Sequence, residues 1–146
     1  MHTREWLNTE DRFVPGAELF RSDRAFTVWA YTISHSQLLL RTRTTGHDGS
    51  TQSRIDVLFK PVRAMKLRVE YDGLVIRCAT QPEAERIHAE NTGITRDARC
   101  LILETAGESD YVMTHAVGWQ ADLESDRDAS ELAGFAPGTD PSRILK

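Results

Sequence analysis

The chain is poor in cysteine, lysine and long apolar runs, and each shortage removes a class of protein. Cys78 and Cys100 are the only cysteines among 146 residues. No metal-ligand spacing surrounds them, so they read as buried reduced thiols, and neither a disulfide framework nor a zinc site is expected. No stretch of about eighteen apolar residues is present, and residues 1–20 lack the apolar centre of a secretory signal, so the expected setting is the cytoplasm, without a membrane. No glycine-rich phosphate loop follows a predicted strand, and no Gly-x-Ser-x-Gly elbow occurs. Asp122, Glu124, Asp126 and Asp128 alternate without the glycine and terminal glutamate of an EF-hand, so they read as a solvated acidic segment. No cofactor and no metal are therefore expected, and no repeat or low-complexity block is visible.

The charge that is present is unevenly placed. Three lysines stand against fifteen arginines, a bias that points to a GC-rich, bacterial coding genome and secondarily to forked hydrogen bonding. Net charge is −4, which gives no general attraction for nucleic acid or anionic lipid. Residues 21–80 nevertheless carry ten Lys/Arg and five Asp/Glu, a balance of +5, whereas residues 81–146 carry six and thirteen, a balance of −7.

Alternation of apolar side chains between Ile55 and Thr80 gives the clearest structural signal. Asp72-Gly73 suits a two-residue type I′ turn, which would set Tyr71 against Leu74, Val69 against Ile76 and Leu67 against Cys78. Met65, Leu67, Val69, Tyr71, Leu74, Ile76 and Cys78 would then share a buried face, with Lys66, Arg68, Glu70 and Arg77 opposite. Arg68 and Arg77 would face each other, an arrangement that calls for a compensating anion or Glu70.

The remaining chain reads as follows. Thr3 is a candidate cap for a short helix carrying Trp6 and Leu7, ended by Val14-Pro15-Gly16. Residues 25–33 are apolar on both alternating sets, as in a central strand covered on both faces. Residues 37–44 are extended again, and 45–53, with His47-Asp48-Gly49, form an exposed loop. Residues 55–60 are a strand broken by Pro61. Residues 81–91 change to helical period, with Pro82 early, Glu83 and Glu85 at the positive end, and Ala84, Ile87 and His88 on one stripe. Strands follow at 100–105 and 111–123, the second bent at Gly118 with its odd-numbered residues on one face. Ser125 and Asp128 resemble a capping box for a short helix over Ala129, Leu132 and Ala133, closed by Gly134.

These elements predict a single α+β domain over 1–134, predominantly antiparallel β, with a loose tail at 135–146. A bent sheet or half-open barrel is expected, and a pleckstrin-homology-like arrangement is one form compatible with many short strands. Helices are expected near 82–91 and, short, towards the termini.

Two groups of residues carry candidate chemistry. His115 lies between Met113 and Val117, where a shielded imidazole could serve a small hydrolase or isomerase as a base; a hydrogen-bonded core histidine is the plainer reading. Arg41, Arg43, Lys66, Arg68 and Arg77 project from polar strand sides and could bind an anion, whether a phosphorylated ligand, a headgroup or nucleic acid, although the aromatics needed to stack bases look buried. The competing reading is that the acidic final third packs over them, in the same chain or in a second copy. The leading expectation is thus a non-enzymatic binding or assembly module that engages a protein partner or itself through segregated basic and acidic surfaces.

Overall fold

The computed structural model describes residues 3–45, 49–125, 128–130 and 132 and builds more than half of them into one antiparallel sheet. In chain order the strands are β1 (Thr3–Leu7), β2 (Glu18–Thr32), β3 (Gln37–Thr42), β4 (Arg54–Lys66), β5 (Glu70–Cys78), β6 (Arg99–Thr105) and β7 (Glu108–Asp122), with helix α1 (Gln81–Glu90) between β5 and β6. Their order across the sheet is β1-β7-β4-β3-β2-β5-β6, and β6 also pairs with β7. The pairings that start at β7 and run through β4, β3, β2, β5 and β6 therefore return to β7, so the sheet is bent back on itself. The predominantly antiparallel β character and the single long helix agree with the sequence reading. No helix among the described residues is long and apolar enough to cross a membrane.

Cross-strand rows explain where the core sits. Leu7, Val117, Phe59 and Leu38 pair in succession across β1, β7, β4 and β3, and all four are buried in the main cluster with Phe26, Tyr71, Leu74, Ile76 and Leu101. On the opposite face of the same strands Trp6, Gly118, Leu58 and Leu39 form another row, and Leu132 packs on Leu39 and Leu58 there with Trp6 alongside. A β-carbon at Gly118 would fall 2.3 Å from Trp6 Cε3 and 2.5 Å from the Glu5 carbonyl oxygen. Gly118 is thus the residue that lets β1 lie against β7, and β7 continues through it.

α1 follows the sequence closely. Thr80 caps it by a reciprocal box, its Oγ1 accepting from the Glu83 amide while the Glu83 carboxylate accepts from the Thr80 amide, which satisfies two donors the helix would otherwise leave open. Ile87 is buried, and Ala84 packs over a second small cluster of Cys100, Ile102 and Met113.

Several local expectations are overturned. The tight two-residue turn joins β6 to β7 at Ala106-Gly107, where Thr105 pairs with Glu108 and both turn residues have positive φ. Asp72-Gly73 lies inside β5, which runs on alongside β2. Gly73 has φ +82° and sits opposite a register shift between Ser22 and Ala25, a bulge that brings Tyr71 and Leu74, three positions apart, into the same core. An alternation that changes phase at Asp-Gly is produced by a bulge as well as by a hairpin. Met65 and Val69 are consequently exposed, at 42 % and 72 %, and Arg68 does not face Arg77.

The expected first helix is the strand β1, held by its ladder to β7. Pro61 interrupts the alternation of β4 and not the strand, since Phe59 and Val62 both enter the main core. The single face expected for odd residues of β7 is divided: Met113 lies under α1, while Val117 and Trp119 join the main core. β2 begins at Glu18 and has neighbours on both sides at Phe26 and Thr27 only; Phe26 is its one buried residue, against the expectation of two covered faces. Of the short helix expected over Ala129, Leu132 and Ala133, Ala129 is not helical and Leu132 is; Ala133, Gly134, the tail at 135–146 and His47 lie outside the described residues.

Candidate functional site

The candidate arginines do not assemble into one face, and those that are buried are met by oxygens of their own chain. Arg41, Asp56, Gln120 and Arg4 form a polar row across β3, β4, β7 and β1. Arg41 is buried and grips Asp56 at two points, Nε to Oδ1 at 2.7 Å and Nη2 to Oδ2 at 3.1 Å. Its Nη1 donates to the Asp128 carbonyl at 3.0 Å, and Trp29 covers the guanidinium at 5.3 Å. Beside it Arg54, which the sequence reading did not single out, is fully buried and pairs with Asp122 at two points, 3.1 and 3.0 Å. Arg54 Nη1 also donates to the carbonyls of Ser125 and Asp128, at 2.6 and 2.8 Å. Burial pushes the Asp122 carboxyl up, but its bonds from Arg54, the Glu124 amide and Gln120 outweigh that and leave it below the ordinary value.

The acidic final third does reach Arg41, then, but through the main-chain carbonyl of Asp128. The Asp128 carboxylate instead accepts from the Ser125 amide at 3.1 Å, one half of the expected capping box. The signal for Arg54 was its place with Asp56 on the side of β4 opposite Val57 and Phe59, a side that alternation alone assigns to solvent.

Arg68 and Arg77 lie elsewhere. Arg68 reaches Asp110 with Nε at 2.8 Å and also pairs with Glu108; the Tyr71 hydroxyl donates to the same Asp110 carboxylate at 2.8 Å. The Arg68 hydrogen bond holds the Asp110 carboxyl below its ordinary value, and burial pushes the Tyr71 phenol up. Arg77 pairs with Glu83 at two points, 2.6 and 2.8 Å, and with Glu104 at 3.2 Å. That contact with Arg77 lowers the Glu83 carboxyl to about 2. Arg43 and Lys66 are exposed.

His115 is half-buried, with its carbonyl accepting from Arg99 at 2.7 Å and its Nε2 without a hydrogen-bond partner among the described residues. Cys78 and Cys100 are buried free thiols. Burial pushes the Cys100 thiol up to about 11 and raises Cys78 as well, which makes both poor nucleophiles. Among the described residues no group of three or more His, Cys, Asp or Glu could hold a metal ion.

Among the described residues, the open strand edge without charged side chains is that of β2. β2 pairs with β5 as far as Thr27 opposite Glu70, and the Val28 amide still reaches the Val69 carbonyl at 2.9 Å. From Trp29 to Thr32 it pairs with β3 alone, with a bulge between Val28 and Ala30, and all four residues are exposed. Tyr31, Ile33 and Val69 are exposed large apolar side chains at this end of the sheet, Ile33 at 85 %. Natural free edges are normally blunted by charge or proline. Other one-sided stretches here follow that rule: β1 carries Arg4 and Glu5, β4 beyond Val62 carries Arg63 and Lys66, and β5 before Val75 carries Glu70 and Asp72. Residues 25–40, by contrast, contain no Asp, Glu, Lys or Arg. No family model, curated protein or solved structure matches the chain.

Proposed function

We propose that this protein is a non-enzymatic assembly module that pairs with a second copy of itself along the free edge of β2. The observation that carries the reading is the exposed, charge-free stretch Trp29–Thr32, which has a strand on one side only. A strand that meets its own copy about a two-fold axis sets residue i against residue j and j against i, so one short stretch supplies both sides of the contact. A charged edge would then repel itself, and this one carries no charge. Main-chain hydrogen bonds supply the attachment in such strand addition, and flanking side chains supply selectivity. Trp29, Tyr31, Ile33 and Val69 provide the apolar and aromatic flank that favours contact with protein.

The arginine pairings favour this reading over capture of an anion. Arg41, Arg68 and Arg77 already direct their forks at carboxylates of the same chain, so a phosphorylated ligand, headgroup or nucleic acid would have to displace those partners.

The test is native mass by light scattering across a concentration series, for the wild type and for Ala30→Lys and Thr32→Pro. The wild type should pass from monomer to dimer, and both variants should stay monomeric while keeping the wild-type circular dichroism spectrum. A wild type that remains monomeric throughout, or variants that dimerise equally well, would remove the proposal.

A further inference from the structure

A second feature, remote from the β2 edge in its chemistry, lies beneath α1. A cavity of about 450 Å³ has Phe13, Cys78, His88, Arg96, Arg99 and Cys100 among its lining residues. That volume is within the range of small-molecule sites.

Two polar atoms of the lining are buried without a hydrogen-bond partner among the described protein atoms, His88 Nδ1 and Arg99 Nε. Buried polar groups are nearly always satisfied, so two orphans on one cavity call for an explanation. Arg99 is not loose. Its Nη1 donates to the His115 carbonyl at 2.7 Å, its Nη2 to Glu10 Oε2 at 3.0 Å, and the guanidinium lies 4.2 Å over the Phe13 ring. The fork is thus anchored at both outer nitrogens and stacked, and the Nε donor is held in a fixed place. Cys78, Ala79, Ala84, Ala98, Cys100 and Leu101 give the wall an apolar part, and Glu10, Arg96 and Asp97 add charged groups to it.

We infer that this cavity binds a small carboxylic acid, its carboxylate accepting from Arg99 Nε and His88 Nδ1 and its hydrocarbon body resting on the cysteine and alanine side chains. A carboxylate has two oxygens that accept from two separate donors, and the bond to a guanidinium is charge-assisted. A neutral alcohol of the same shape forfeits the charge-assisted bond. A larger dianion such as a phosphate ester meets Glu10 and Asp97 at the same cavity, which favours the singly charged acid.

The experiment is a titration of isotope-labelled protein with acetate, butyrate and benzoate, followed by the Arg99 Nε–H signal and the amides of Ala98 and Cys100. Benzyl alcohol is the neutral control. At least one acid should give saturable shifts at these signals, and benzyl alcohol should bind at least about tenfold more weakly, as loss of a charge-assisted bond implies. Arg99→Gln should weaken the acid by a similar factor. Because Arg99 also holds Phe13 and Glu10, Ala84→Leu serves as the second variant: it fills the cavity from α1, leaves Arg99 in place, and should abolish the shifts while the protein stays folded. Absence of saturation with all three acids, equal binding of benzyl alcohol, or unchanged binding in folded Ala84→Leu would each overturn the inference; a cavity that serves only water gives the first of these results.

Discussion

Arg54 holds Asp122 through two parallel hydrogen bonds, with both side chains withdrawn from solvent, and the same guanidinium grips the chain that follows β7 by three of its carbonyls. One buried cation thereby fastens the end of the last strand and the segment that brings Leu132 onto the outer face. Removing one member of a buried pair strands the other, at a cost of about 3 kcal/mol. Asp122→Asn should therefore lower the urea midpoint strongly with an unchanged slope. The double variant Arg54→Met, Asp122→Leu should lose clearly less than the two single losses added together, because neither charge is then left alone.

Acid should loosen the molecule at Glu83. Its carboxyl has an ordinary value of 4.5 and falls to about 2 beside Arg77. A carboxyl lowered in the folded state contributes stability fully above its ordinary value and loses it as pH falls towards the folded value. Thermal unfolding temperatures of the wild type should thus drop between pH 4.5 and pH 2, with Asp110 and Asp122 adding to the same limb. Glu83→Gln should be less stable at neutral pH and should show a shallower decline over that interval.

Two substitutions at positive φ should act with opposite signs. Gly73→Ala places a side chain at φ +82° and should cost about 1 kcal/mol. Ala106 already stands at φ 47° in the β6–β7 turn, so Ala106→Gly should stabilise by about 1 kcal/mol. Chemical denaturation of both variants measures this directly.

Gly118→Ala should be the most damaging of the glycine changes. Its methyl group would overlap the Trp6 ring and the Glu5 carbonyl, so β1 must shift or detach, at about 2 kcal/mol. Denaturant titration followed by tryptophan fluorescence should show the loss together with a change in the native-state signal from Trp6.

Local chemistry made part of this molecule legible. Pro82, Glu83 and the stripe of Ala84 and Ile87 specify α1 without help from tertiary contacts, and the alternations over 55–60 and 111–123 specify strands, though not that β4 runs on through Pro61. Phase changes were not legible in the same way. Tyr71 and Leu74 point into one core whether Asp72-Gly73 turns the chain round or bulges within a strand, and only the neighbour β2 decides between them. β1 was hidden for a related reason: five residues with Trp6 and Leu7 fit a helical turn as well as a strand, and the pairing that chooses lies more than a hundred positions away at Val117–Ala121. Arg54 was hidden because a polar strand face normally means solvent, and its cover comes from the chain end. The free edge at Trp29–Thr32 depends on where β5 stops beside β2, which no property of residues 25–40 reveals.

Association through that edge should respond little to sodium chloride, since no charged side chain lies within residues 25–40. Pairing through the segregated basic and acidic blocks would instead weaken steeply with salt. Sedimentation at low and high ionic strength separates the two.

The most direct measurement is hydrogen exchange at the amides of Trp29, Ala30, Tyr31 and Thr32, recorded at low and high protein concentration. The amides that β3 leaves unbonded should exchange quickly in dilute protein and become protected as concentration rises, while Ala30→Lys abolishes the protection. Fast exchange of those amides at every concentration, or protection that appears equally in dilute protein, would contradict pairing through β2.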